Sequence, residues 1–269
     1  MALGFGGTAS SRSIHYMNQA KSAMDKSLLK ISSGSRLVSP GDDPGGIAVA
    51  MKLRSSIATN DVAKNRVENA KSYVEMQHST LQSASDIIIE MQGLELDYRS
   101  ANVDEQAIYE GQFNELKSQL SDLGGGTING QKLFDRGAGN ETIVVATSSN
   151  GSGTVTLENI EYNNAIAGAN FAINDTNLDL VGALDGITSE LGKTGSDLSS
   201  LGFASDYLSS TATNLESALG RIEDVDLAEE TANYAALTLR YEAAAAAVAQ
   251  ANASADTVFN LLMGSLGKD

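Results

Sequence analysis

The sequence contains no cysteine and no tryptophan, and only two histidines and two prolines among its 269 residues. Without cysteine there is no disulfide, thiolate zinc site or cysteine nucleophile. His15 and His78 stand far apart, and neither belongs to a motif with metal-ligand spacing. Pro40 and Pro44 are the only prolines, so long helices meet little punctuation. Positive charge is scarce: 18 Lys and Arg stand against 34 Asp and Glu, a formal net charge of -16. Nucleic acid and anionic membranes are therefore poor partners. Self-repulsion makes self-association a process that screening salt favours. Long hydrophobic runs are missing too. None reaches the roughly 18 to 20 residues that span a bilayer. The alanine run Ala243 to Ala247 is short and flanked by Arg240 and Glu242. Met1 to Ser13 carries no apolar h-region, so no cleaved signal peptide is expected.

What is present is helical periodicity at both ends. Ile14, Met17, Met24, Leu28 and Ile31 fall on one stripe of three- and four-residue steps, with Lys21 its polar member. This predicts an amphipathic helix over about 13–32. Ser33-Gly34 reads as its C-cap, and Asp43-Pro44 as the N-cap and first residue of the next helix. From Pro44 to about Arg99 a second stripe runs through Val67, Ala70, Val74, Gln77, Leu81, Ala84, Ile88 and Met91. Such a run predicts a long coiled-coil-like helix. At about 1.5 Å per residue it extends roughly 80 Å, which implies an elongated molecule. After a break at Asn102-Val103-Asp104, a further helix is expected from about Glu105 to Leu123, ending at Gly124-Gly125-Gly126.

The middle changes character. Thr127 to Phe134 holds the turn signal Asn129-Gly130. Ile143 to Thr147 and Thr154 to Leu157 flank a Ser/Asn/Gly segment and read as a hairpin. Phe171 to Ile173 is expected to add a strand. Helical patterning resumes from about Leu178 to Ile222. In the last segment Leu237, Tyr241, Ala244, Val248, Ala251, Ala255, Val258 and Leu262 keep strict four-three spacing. The fold class is thus mainly α, with long coiled-coil-like helices from both chain ends and a small β-hairpin region at about 127–175. Neither terminal helix can bury its seam within itself. The seams are expected to pair with each other and with neighbouring copies. In a free subunit such seams are marginal helices, so the ends are expected to order on assembly.

Chemistry-bearing motifs are few. Gly125 to Lys132 departs from a phosphate loop, with Gln131 between Gly130 and Lys132 and Leu133 in place of Ser or Thr. Adjacent Asp42 and Asp43 offer too few ligands for a cation and suit helix capping. No nucleophile, base or metal-ligand constellation is visible, so neither enzymatic activity nor a cofactor is expected. Asn140, Asn150, Asn174 and Asn252 open sequon matches of little weight. Ser and Thr around 147–154 are candidates for O-linked glycans.

Several motifs resemble the bacterial flagellin family. Lys30-Ile31-Ser32-Ser33-Gly34-Ser35-Arg36-Leu37 is similar to its R-L-S-S-G-x-R-I, and Asp42-Asp43-Pro44-Gly45-Gly46-Ile47-Ala48 to its D-D-P-A-G-L-A-I. Ser100-Ala101-Asn102 matches the S-A-N that closes the family's long helix. Ile128 to Phe134 resembles F-N-G-x-K-L-F. Ala228 to Ala232, Ala249 to Asn252 and Val258 to Leu262 are similar to the family's ending. The motifs stand in family order and cover about 10–134 and 180–263. Met1 to Arg12 departs from the common opening, and Met263 to Asp269 runs past the usual Leu-Leu ending.

The resemblance implies a subunit that polymerises into the extracellular flagellar filament for motility, the alternative being a hook–filament junction protein of the same family. It implies an inner filament core from 1–44 and 228–269, and a rod-like outer layer from 45–227 without the large variable outer domains. Ile14, Met17, Met24, Leu28, Ile31, Leu237, Tyr241, Val248, Val258 and Leu262 are the expected self-assembly seam. The implied partners are further copies of the chain, a flagellar export chaperone, a filament cap and hook-junction proteins, with type III export. Receptor-active members carry Q-R-V-R-E-L where this chain has Met91-Gln92-Gly93-Leu94-Glu95-Leu96. With Gln92 and Leu94 replacing both arginines beside Glu95, recognition by Toll-like receptor five is expected to be weak.

Overall fold

The computed structural model describes residues 4–128, 130–135, 142–148, 153–167, 172–175 and 178–266, with backbone alone for 4–10, 255 and 258–266. Six helices and two hairpins follow in the order α1 (Gly4–Ser33), α2 (Pro44–Ser100), α3 (Val103–Gly124), β1 (Thr127–Ile128), β2 (Gln131–Lys132), β3 (Ile143–Ala146), β4 (Thr154–Leu157), α4 (Tyr162–Ala167), α5 (Leu180–Glu223) and α6 (Leu227–Leu266). The chain divides into two compact units: Met1–Arg54 with Glu216–Asp269, and Ser55–Leu215.

The first unit is built on the pairing of α1 with α6. Helix α1 stops at Gly34, whose φ of 70° is a backbone state that suits glycine. Two loops then clasp each other. Val225 N–H donates to the Gly34 carbonyl at 3.1 Å, and Arg36 N–H to the Glu223 carbonyl at 2.6 Å. The Arg36 guanidinium reaches the Ile222 carbonyl at 2.8 Å, one of the carbonyls that the end of α5 leaves open. Arg54 pairs with Glu223 at 2.6 Å. Asp42 accepts from the backbone N–H of Val38 and Ser39 at 3.2 and 2.9 Å and from Ser39 Oγ at 2.9 Å. It also pairs with Lys26. The Lys26 ammonium, with the Ser39 N–H, holds the Asp42 carboxyl well below the usual carboxylate range. Asp43 caps α2 by accepting from Gly46 N–H at 2.9 Å, directly ahead of Pro44. Asp226 does the same for α6 through Ala228 and Glu229 N–H at 2.9 and 3.2 Å.

The second unit holds the hydrophobic core. All eight positions of the α2 stripe, Val67 to Met91, are buried. The seven apolar ones join Phe113 and Leu120 of α3, and Leu180, Ala183, Ile187, Leu201, Ala204 and Leu208 of α5, in one cluster. The polar stripe member, Gln77, is used: its amide donates to the Leu133 carbonyl at 2.5 Å. Tyr73 OH donates to the Lys132 carbonyl at 2.7 Å, so α2 holds the β1–β2 hairpin by backbone acceptors. Thr127 pairs with Lys132 and Ile128 with Gln131, and Gly130 takes a φ of 80° in the turn. The second hairpin pairs Ile143 with Leu157 and Ala146 with Thr154.

Helix α3 starts only two residues after α2 ends because Asn102 closes a capping box. Its side chain accepts from Asp104 and Glu105 N–H at 3.1 and 3.0 Å, and Glu105 answers by accepting Asn102 N–H at 3.3 Å. Helix α4 was not expected from the sequence. Its Tyr162 is fully buried, lies 5.1 Å from the Phe134 ring and donates to the Leu120 carbonyl at 2.6 Å. Burial pushes the phenol upward and keeps it a donor. The strand expected at Phe171 to Ile173 is corrected. Ala172 to Asp175 forms a turn closed by Asp175 N–H on the Ala172 carbonyl, and Ile173 is a core residue. Phe171 lies outside the described residues, as do Asn129 and the Asn140 and Asn150 sequon positions.

Candidate assembly surface

Along α1 the residues turned inward are Ser13, Met17, Ala20, Met24, Ser27 and Ile31, in four-three steps. On α6 they are Glu230, Tyr234, Leu237, Tyr241, Ala244, Val248 and Ala251, in the same steps. The helices run antiparallel, since Ser27 meets Glu230 and Met24 meets Thr238. Small residues at 13, 20 and 27 let the backbones approach, with an alanine-rich partner opposite.

A polar network sits inside this seam. Ser27 Oγ donates to Glu230 Oε1 at 2.5 Å, and both residues are buried. Lys30 Nζ lies 3.6 Å from Glu230 Oε2, and Asn233 donates to Oε1 at 3.4 Å. The Ser27 hydrogen bond leads in holding the Glu230 carboxyl below its ordinary value; the Lys30 charge adds to it against desolvation. Thr238 Oγ1 donates to Met24 Sδ at 3.7 Å.

The expected seam residues divide in three. Met17, Met24, Ile31, Leu237, Tyr241 and Val248 face the α1–α6 interface, and of these only Leu237 is buried, the others being half-buried. Ile14 and Leu28 lie one position off it and are exposed. The side chains of Val258 and Leu262 lie outside the described residues. Sequence reasoning missed Ser27 and Ala20 because neither is a large apolar residue. The signal for both was Glu230, which continues the α6 register one heptad before Leu237.

The other singled-out residues have structural partners. His78 shares a 2.8 Å hydrogen bond with Thr194, and the His15 ring lies 6.1 Å from that of Tyr16. Gln92 and Leu94 are half-buried, Leu94 against the core, and Glu95 pairs with Arg99 one turn on. Among the described residues no three His, Cys, Asp or Glu side chains gather where they could hold a metal. No described helix is long and apolar enough to cross a membrane.

The pattern of the bacterial flagellin N-terminal helical region matches residues 8–138, and that of the C-terminal helical region matches 178–262. The chain belongs to the flagellin family. It is 26% identical over 266 residues to a flagellar filament 33 kDa core protein of Treponema phagedenis, covering 89% of this chain and 92% of that one. A flagellin of Halalkalibacterium halodurans is 27% identical over 258 residues, covering 91% and 93%. One of Bacillus subtilis is 24% identical over 299 residues, covering 94% and 97%. The two flagellin regions contain α1 to α3 and α5 to α6, so the α1–α6 seam is made wholly of family-matched segments. The β3–β4 hairpin and α4 fall between them.

Proposed function

We propose that this chain is the structural subunit of an extracellular bacterial flagellar filament, acting by polymerisation and without catalysis. The observation that carries this reading is the half-exposed seam. Met17, Met24, Ile31, Tyr241 and Val248 pair between α1 and α6 yet keep part of their surface open, and Ile14 and Leu28 stand outside. A two-helix pair cannot close its own apolar surface; further copies would bury the remainder. Head-to-tail contacts that do not close generate an open helix of subunits. In this reading 1–44 and 228–269 form the inner core and 45–227 the layer around it. Val258 and Leu262 extend the seam toward the end of α6. Export through the flagellar secretion route, an export chaperone, a filament cap and hook-junction proteins complete the set of partners. Activation of Toll-like receptor five is weak, because Gln92 and Leu94 supply no positive charge.

The test is electron microscopy of purified subunit with salt and short filament seeds, for the intact chain and for a deletion of 237–269. Long filaments from the intact chain alone support the reading. Filaments from both remove the role given to the seam. Filaments from neither transfer the chain to the hook–filament junction.

A further inference from the structure

The antiparallel pair of α1 and α6 has a closed end at the loop clasp, where Ser35 and Asp224 stand opposite each other. The bonds from Val225 N–H to the Gly34 carbonyl and from Arg36 N–H to the Glu223 carbonyl flank them on both sides. Helix α1 ends at Ser33 just before the clasp, and α6 begins at Leu227 just after it. Burial along the seam is graded away from this point. Ser27, Glu230 and Leu237, in the half nearest the clasp, are buried. Ser13, Met17, Ala20, Val248 and Ala251, farther out, are half-buried. The charged contacts of the seam lie at the same end, with Ser27 and Lys30 on Glu230.

Pairing two helices has an unfavourable start, because the first turns must be fixed before contacts reward them. The start costs least where the chain already holds the partners near each other, since closing a longer loop costs more. The N-terminal side of the clasp leads into α2, and the C-terminal side comes from the last turn of α5. These two helices already share the core of the second unit. Toward the chain ends, each further contact closes only a short additional loop. We infer that the clasp is where the terminal pairing begins: it closes first, its closing limits the rate, and α1 and α6 then zip outward from Ser27 and Glu230 toward the chain ends. Arg36 is the positioning residue of this start. Its N–H and its guanidinium take two successive carbonyls, Glu223 at 2.6 Å and Ile222 at 2.8 Å. Gly34 supplies the φ of 70° that leads the chain out of α1, with open space about its missing Cβ. The inference rests on the filament reading, in which the terminal pairing is completed as a subunit joins, and adds to it the place where that pairing starts.

Because the sequence has no cysteine, one engineered disulfide can hold the clasp shut. The flanking bonds make Ser35 and Asp224 a non-hydrogen-bonded antiparallel pair. In such a pair the Cα atoms stand about 4.5 Å apart, within disulfide reach. The full chain carrying Ser35→Cys and Asp224→Cys is added to filament seeds, oxidised or reduced. The oxidised form is expected to elongate them at least about fivefold faster than the reduced form. Equal rates, or slower elongation by the oxidised form, overturn the inference and leave the filament reading standing. Failure of the unaltered chain to elongate seeds overturns that reading and the inference with it. A second readout separates the start of pairing from its completion. Arg36→Ala and Gly34→Ala are expected to slow elongation roughly fivefold, with little change in the rate at which subunits leave filament ends. Met17→Ala and Val248→Ala should instead raise the leaving rate, with little change in elongation. The reverse split, or one split shared by all four variants, overturns the inference.

Discussion

Ser27 and Glu230, 203 residues apart in the chain, meet in a 2.5 Å hydrogen bond inside the α1–α6 seam. A polar contact among apolar side chains fixes register, since any slip strands a charged group without its partners. Ser27→Ala is expected to weaken the pairing by about 1.5–3 kcal/mol, the range for a hydrogen bond to a charged group. The critical concentration for polymerisation should rise accordingly, with the melting of the second unit unchanged.

The same carboxyl makes assembly sensitive to acid. The Glu230 value is lowered on folding, chiefly by the Ser27 hydrogen bond and then by Lys30. Its contribution is therefore complete above the ordinary value of 4.5 and is lost as pH falls through the folded value. Asp42, also lowered, acts with the same sign. Pairing followed by circular dichroism should weaken progressively below about pH 4.5. Glu230→Gln should be weaker at neutral pH and flatter across that window, and a pH dependence equal to that of the unaltered chain would dismiss the role of Glu230.

Two glycines should respond oppositely to alanine. A Cβ on Gly124 would sit 2.6 Å from a ring carbon of the buried Tyr162, whereas one on Gly93 meets nothing within 4 Å. Gly124→Ala should destabilise the second unit by about 1–3 kcal/mol through overpacking. Gly93→Ala should stabilise it by up to about 1 kcal/mol through helix propensity. Thermal melts of the monomer decide both.

Ile14 and Leu28 point away from the α1–α6 interface, whereas Leu237 is buried in it. Truncating either outer residue to alanine should leave the circular dichroism of the free subunit unchanged and slow seeded elongation. Leu237→Ala should slow elongation more than either, because it removes a side chain buried between α1 and α6. Hydrogen exchange of the free subunit adds a check: amides of α1 and α6 should exchange faster than those of α2 between Val67 and Met91. Equal protection would mean that the ends need no assembly to order.

Much of this fold is legible where one face of a helix is buried by many partners. The stripe from Val67 to Met91 is an example, because large apolar residues recur where α3 and α5 press on α2. The cap at Asp43 is legible too, since the signal is local and the bond spans three residues, whereas Asn102 reads as a break and its capping box carries the helix on from Val103. The α1 seam is less so. Its close positions are Ser13, Ala20 and Ser27, chosen for small size against an alanine-rich partner, so a reading by hydrophobicity moves one residue round the helix to Ile14 and Leu28. Tyr162 and Ile173 are buried by long-range packing within a short helix and a turn, where no periodicity can develop.

The loop clasp also sets a timetable. Gly34 waits for Val225, about 190 residues later, and a ribosome adding 5–20 residues per second takes on the order of 10–40 s to supply it. Throughout that interval the first helix has no mate of its own. A portal that engages the leading end during that interval meets a segment still free to be threaded, and the clasp closes only after the stretch around Val225 has followed.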